Sequence, residues 1–241
     1  MRSGRARYGL AVTPGATPPE NCLTRNDWIC GEYITTRADD LGEALVQHLG
    51  IVVASVLLGF FLAFPLALVA RRYRKLEGVL IGTTTAIYTI PSLALFSLLV
   101  PVTGLGPVTV VLGLGLYSLT ILVRNVLDGL RAVPDDVRES ATAMGYAAPR
   151  LLFRVELPLA LPTIMAGLRV ATVSAVALTT VGAILDYGGL GDLLIAGKQS
   201  DFKAQVLVTS ALCVLLAILL DLILVGVQRV LTPWTRKSAT A

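Results

Sequence analysis

Twenty residues from Ile51 to Ala70, and a further forty-six from Gly78 to Val123, pass without a single Asp, Glu, Lys or Arg. A bilayer core takes roughly 20 helical residues to cross at 1.5 Å rise each, so the first run fits one crossing and the second has room for two. A soluble core is built from helices and strands with one polar face and has no use for uninterrupted stretches of this length. Charged residues make up 15% of the chain, against roughly 25% in an ordinary soluble domain. The chain is therefore read as an all-α membrane protein of about five transmembrane helices, near residues 46–70, 79–100, 107–127, 163–185 and 204–227.

The organisation follows from those spans. Residues 1–40 form a polar extracytoplasmic N-terminal segment, disordered over Met1–Pro19, where Gly, Thr and Pro are frequent. Residues 41–230 form the membrane domain, with a mixed-charge loop at 128–162, and residues 231–241 form a short cytoplasmic tail. Gly59, Gly82, Gly113, Gly167 and Gly226 lie within spans, where small residues allow helices to approach closely. Pro65 and Pro91 also lie within spans, where each removes a backbone donor and bends its helix. Pro101, Gly104, Gly106 and Pro107 mark a tight connection between the second and third spans.

Lys and Arg set the orientation. Arg71, Arg72, Arg74 and Lys75 follow the first span; Arg124, Arg131, Arg138, Arg150 and Arg154 follow the third; Arg229, Arg236 and Lys237 follow the fifth. The connection between spans two and three has none, and 186–202 has only Lys198. The basic side is cytoplasmic by the positive-inside rule, which puts the N-terminus outside and the C-terminus inside. Cys22 and Cys30 then face an oxidising exterior, either bridged around Trp28 or as two unrelated thiols. Cys213, inside the last span, is packing.

Several classes of chemistry have no support. The net charge of +4 resides at the ends of apolar runs, which excludes nucleic acid as its reason. No Gly-x-x-x-x-Gly-Lys-[Ser/Thr] loop is present, so the chain carries no phosphate-binding site for ATP. His48 is the only histidine and has no cysteine near it in sequence, so no metal site is expected, and no catalytic residues are assigned. Arg169 and Asp221 are placed near the cytoplasmic ends of spans four and five, as a structural pair or as ion-coupling groups. Asp186, Asp192 and Asp201 belong to the outer 186–202 loop, as contacts for another protein or as a solvated surface.

The loop at 128–162 is the most informative region. Pro134 followed by Asp135 and Asp136 is a good helix start, because Pro fits the first turn and acidic residues favour the N-terminal dipole. Val137, Ala141 and Met144 recur at helical spacing, and Gly145 ends or turns the helix. A second short helix begins near Ala147 or Pro149 and breaks at Pro158. Two short helices with apolar faces form a docking surface, or else an ordinary connection.

Glu139-Ser-Ala141, Gly145 and Leu157-Pro158 resemble the EAA loop of permease subunits in binding-protein-dependent ABC importers. The segments Tyr88–Leu95, Phe153–Arg169 and Gly188–Leu193 resemble a narrower group, the osmoprotectant permeases for glycine betaine, carnitine or choline. The resemblance covers roughly residues 45–227 and implies the ABC importer permease (MetI-like) fold in the plasma membrane of a prokaryote. It implies a second permease subunit, identical or related, a cytosolic ABC ATPase dimer that binds ATP and Mg, and an extracytoplasmic substrate-binding protein. This chain would bind no cofactor itself. Glu139, Ala141, Gly145, Leu157 and Pro158 would couple it to the ATPase, while Arg138 and Arg150 are polar contacts or topology signals.

A quaternary ammonium ion is held by aromatic faces, and these are sparse in the spans. Tyr88 and Tyr117, with Thr84 and the bend at Pro91, are the candidates for a substrate pathway; their other reading is helix packing. Two further classes stand beside the importer, an autonomous secondary transporter and a membrane scaffold without transport.

Overall fold

The computed structural model describes residues 21–234. The disorder expected over Met1–Pro19, and Arg236 and Lys237 of the tail, lie outside the described residues. Helices are the only regular elements among the residues described. After α1 (Gly31–Thr36), α2 runs from Ala38 to Arg72 through Pro65, 35 residues in all. At 1.5 Å per residue that is roughly 50 Å, well beyond the hydrocarbon core. The helix that carries the first span therefore starts inside the stretch assigned to the N-terminal segment, ahead of the hydrocarbon core.

The bundle is organised around α5 (Pro107–Arg131), which packs against α2, α3 (Arg74–Thr89), α4 (Ser92–Thr103) and α8 (Leu157–Thr179). Small residues set these approaches, since apolar side chains gain little from leaving lipid. A Cβ added at Gly59 would lie 2.8 Å from Cβ of Ser118 and 3.0 Å from the Gly115 carbonyl oxygen. Gly113 and Gly167 are closed off in the same way by Phe96 and Asn125, whereas Gly82 and Gly226 face open space and make no such contact.

The second apolar run departs from a single straight crossing at 79–100. It is a pair of helices, α3 and α4, bent by 100° at Ile90 and Pro91. Pro91 starts the break: it has no N–H to donate and disfavours helical geometry in the preceding residue, and Ile90 is extended (φ −67°, ψ 128°). Side chains of α5 bond to backbone oxygens at the break and earlier in α3. The Tyr117 hydroxyl donates to the Ile90 carbonyl, and Thr120 Oγ1 donates to the Thr84 carbonyl at 2.6 Å.

A second departure lies before the fourth span. Pro158 does not break the chain, which stays helical through α7 (Ala148–Leu151), a π-helical turn at Leu152–Glu156, and α8. Leu157 N–H bonds to the Leu152 carbonyl, five residues back. That wider turn absorbs the missing donor and ring of Pro158. The helix that carries the fourth span thus begins near Ala148, and a 3₁₀ turn at Thr180–Leu185 ends it.

At the other end, the expected loop at 186–202 contains a helix, α9 (Leu190–Gln199), before α10 (Lys203–Leu231). His48 is fully buried, with Nδ1 3.1 Å from the Gly188 carbonyl oxygen and Nε2 3.1 Å from that of Val176. Gly189, at φ +57°, leaves room for this ring: an added Cβ would lie 2.7 Å from that of His48. Both Asp192 carboxylate oxygens accept the Gly188 N–H, at 2.9 and 3.1 Å. Burial pushes the Asp192 carboxyl above the usual carboxylate range, opposed by the Gly188 and Gly189 amides. Cys22 and Cys30 are joined in a disulfide with Cα atoms 5.5 Å apart.

Candidate functional site

The 128–162 loop folds as its residues dictate. Helix α6 (Asp135–Ala143) starts behind Pro134 with Asp135 and Asp136 in its first turn. It ends in a Schellman motif: Gly145 N–H bonds to the Thr142 carbonyl at 2.9 Å, and Tyr146 N–H to that of Ala141 at 3.2 Å. The motif requires a left-handed residue, and Gly145 supplies it at φ +85°. Val133 and Ala141 are buried and seat α6 on the bundle, while Glu139, Met144, Gly145 and Phe153 are exposed. Arg150 lies over the Tyr146 ring at 4.9 Å. The outer surface of the loop thus combines a carboxylate, a cation and two large apolar side chains.

Behind that surface stands Glu156, 3% exposed, in the π-helical turn. Its carboxylate accepts both Arg71 Nη atoms, at 2.7 and 2.5 Å, and Arg138 Nε at 2.9 Å. Arg138 also donates Nη1 to Asp135 at 2.7 Å and Nη2 to the Leu130 carbonyl at 2.5 Å. One arginine of the exposed helix is therefore bonded to the end of α5 and, through one carboxylate, to the end of α2 and the start of the fourth span. Arg131 pairs with Glu77 nearby and joins α5 to α3. An open cleft of about 390 Å³ lies between α2 and α7, lined by Arg71, Arg72, Leu151 and Glu156 among others.

The residues assigned to coupling fall into two groups. Glu139 and Gly145 lie on the outer surface, whereas Ala141 is buried beneath it. Leu157 and Pro158 are in the wall of the bundle, where Leu157 packs against the cluster of Ala67, Ala70, Val126 and Leu130. Glu156 was not singled out from sequence. The local signal was a charge beside Leu157-Pro158 at a helix base, and its partners are 85 and 18 residues away.

The four pathway candidates come together at the break between α3 and α4. Tyr88 is half-exposed and meets the buried Tyr117 edge to face, with centroids 5.6 Å apart. Thr84 is buried, its hydroxyl bonded to Ile81. Tyr117 therefore stitches the break, Thr84 meets α5 through its carbonyl, and Tyr88 alone presents an aromatic face outward. Arg169 and Asp221 form a two-pronged ion pair between α8 and α10, at 2.7 and 2.9 Å. The pair lies well inside both helices, with Asp221 ten residues before Leu231.

Comparison with known proteins agrees with this architecture. Residues 55–237 match the family described as binding-protein-dependent transport system inner membrane component. The chain is 36% identical over 208 residues to the glycine betaine/carnitine/choline transport system permease protein OpuCD of Bacillus subtilis, covering 86% of this chain and 91% of that protein. It is also 36% identical over 207 residues to the osmoprotectant import permease protein OsmW of Salmonella typhimurium, covering 83% and 96%. In fold it is similar to a chain of the inward-facing MetNI methionine ABC transporter, with TM-score 0.72 and 20% identity over 82% of this chain and 98% of that one. The apolar helices, the exposed loop helix bonded into three of them, and a family match over most of the chain lead to one conclusion: the chain belongs to the binding-protein-dependent transport system inner membrane components, and is a multi-pass permease subunit of a solute importer rather than an enzyme.

Proposed function

We propose that the chain forms the membrane path of an ATP-driven importer of compatible solutes, of the glycine betaine, carnitine and choline class. ATP and Mg are bound by a separate cytosolic ATPase dimer, an extracytoplasmic binding protein delivers the solute, and a second permease subunit, identical or related, completes the path. The N-terminus lies outside and the C-terminus in the cytoplasm. The bonding of Arg138 to Glu156 and Leu130 carries the coupling part of this reading. A force that shifts α6 acts on the ends of α2, α5 and the fourth span together, which is what switching between inward- and outward-facing states requires. Glu139 and the Gly145 turn enter the ATPase cleft. The solute class rests on the named relatives, and selectivity belongs mainly to the binding protein, because Tyr88 is the only open aromatic face at the α3–α4 break.

Reconstitution with the ATPase and binding protein tests the reading. Labelled betaine, carnitine or choline should enter proteoliposomes only with ATP. Uptake of another solute with none of these three moved would overturn the solute class, and uptake driven by an ion gradient without the ATPase would overturn the importer mechanism. Orientation is tested with Cys213→Ala as background, in which the disulfide is retained. Asp39→Cys should react with an impermeant maleimide added to intact cells and Asp136→Cys should not; the opposite pattern refutes the topology.

A further inference from the structure

The loop closed by the Cys22–Cys30 disulfide presents Trp28 and Ile29, 54% and 86% exposed. The transport role proposed for the chain gives them no part, and the family match begins only at residue 55. The loop is fixed in place. Asn26 donates Nδ2 to the Asp201 carbonyl at 2.7 Å and accepts the Lys203 N–H at 2.9 Å, so it grips the turn between α9 and α10 from both sides. Tyr33 packs edge-on against Phe202, with centroids 5.3 Å apart.

The depth of this mooring matters. Tyr33 and Cys30 share a cluster with Ala204, against which Val208 and Leu212 pack. These are the opening turns of α10, a candidate span whose most apolar stretch is only 6% buried within this chain. The loop thus leans on the flank of α10 where its apolar run begins, continuous with the exposed apolar surface of that helix. The headgroup region there is only about 5–7 Å thick on each side of the hydrocarbon core. An ion pair between Arg25 and Asp27, at 3.2 Å, sits directly before Trp28. An indole and an aliphatic side chain beside a charged pair have the amphipathic pattern that concentrates at a membrane–water boundary.

We propose that the disulfide-clasped loop is a lipid-interface anchor, with Trp28 and Ile29 inserted at the headgroup–acyl boundary beside α10. The disulfide holds the apolar pair together, and Asn26 transmits that hold to the α9–α10 turn. The chain contains two tryptophans, Trp28 and Trp234, which makes the test direct. The full chain carrying Trp234→Phe is placed in phosphatidylcholine nanodiscs, with Trp28→Phe as the companion that reports correct insertion. Trp28 emission should be blue-shifted and lost when bromine is placed near the top of the lipid acyl chains. The loss should be smaller with bromine deeper in the chains, and aqueous acrylamide should quench weakly. Emission quenched by acrylamide and unaffected by brominated lipid would overturn the anchor in favour of an exposed tip. Blue-shifted emission quenched by neither agent would overturn it in favour of burial against a second copy of the chain.

Discussion

Replacing Glu156 by Gln keeps the shape of the side chain and removes the charge that Arg71 and Arg138 share. The carboxylate is 3% exposed and accepts three charge-assisted bonds of 2.5–2.9 Å. Breaking a buried ion pair from one side costs about 3–5 kcal/mol, mostly through the charge left unpaired. Here the arginine side chains are 28% and 23% exposed, so water takes over part of their solvation and the lower figure applies, about 3 kcal/mol. If half of that falls on the seating of α6, the loss is about 1.5 kcal/mol, or roughly tenfold in its docking equilibrium constant. ATP-dependent uptake by Glu156→Gln should therefore fall, by at most about tenfold, while the permease still inserts, as judged by its yield in the membrane fraction. Combined with Arg138→Met, the loss should be smaller than the product of the two single losses. Both substitutions remove the Arg138–Glu156 bond and the second also removes the unpaired charge, although it gives up the bond to the Leu130 carbonyl. Wild-type uptake by Glu156→Gln with the ATPase still bound would refute the reasoning. So would independent, multiplying losses from the two substitutions.

Four other outcomes are expected. Gly145→Asp should weaken co-purification of the ATPase without affecting insertion. An added Cβ there meets nothing within 4 Å, so the effect comes from φ +85° and from the docked partner; Glu139→Lys should do the same through charge. Asp221→Ala should lower the melting temperature in detergent by leaving Arg169 unpaired within a spanning helix, and the exchange Arg169→Asp with Asp221→Arg should recover part of it; no recovery would mean that the pair is not the tie between α8 and α10. Tyr117→Phe should cost about 1 kcal/mol, seen as a lower melting temperature, by leaving the Ile90 carbonyl without its donor. Gly59→Val should cost about 1–3 kcal/mol, seen as reduced folded yield in a thermal assay, because its first carbon already overlaps Ser118.

Much of this protein is written in short stretches of chain. The apolar runs mark the membrane helices because crossing a bilayer depends on consecutive residues, whatever they later pack against. Helix α6 is equally local: Pro134, Asp135 and Asp136 begin it, and Gly145 ends it where a left-handed residue is needed. The EAA-like residues were legible for the same reason. Pro91 and Pro158 show where such reading stops. Both remove a backbone donor, yet one produces a 100° bend and the other is absorbed in a π-helical turn. The difference lies in what surrounds them, since Tyr117 and Thr120 of α5 hold the broken end of α3 in place. Glu156 with Arg71 and Arg138, Arg169 with Asp221, and His48 between two carbonyls are likewise products of the assembled bundle. Their partners lie 18 to 140 residues apart along the chain. A charge or an imidazole carries no record in its own neighbourhood of which distant group will approach it. Only the packing of the helices brings those groups within bonding distance, and that packing is what turns an exposed loop helix into a lever on the spans.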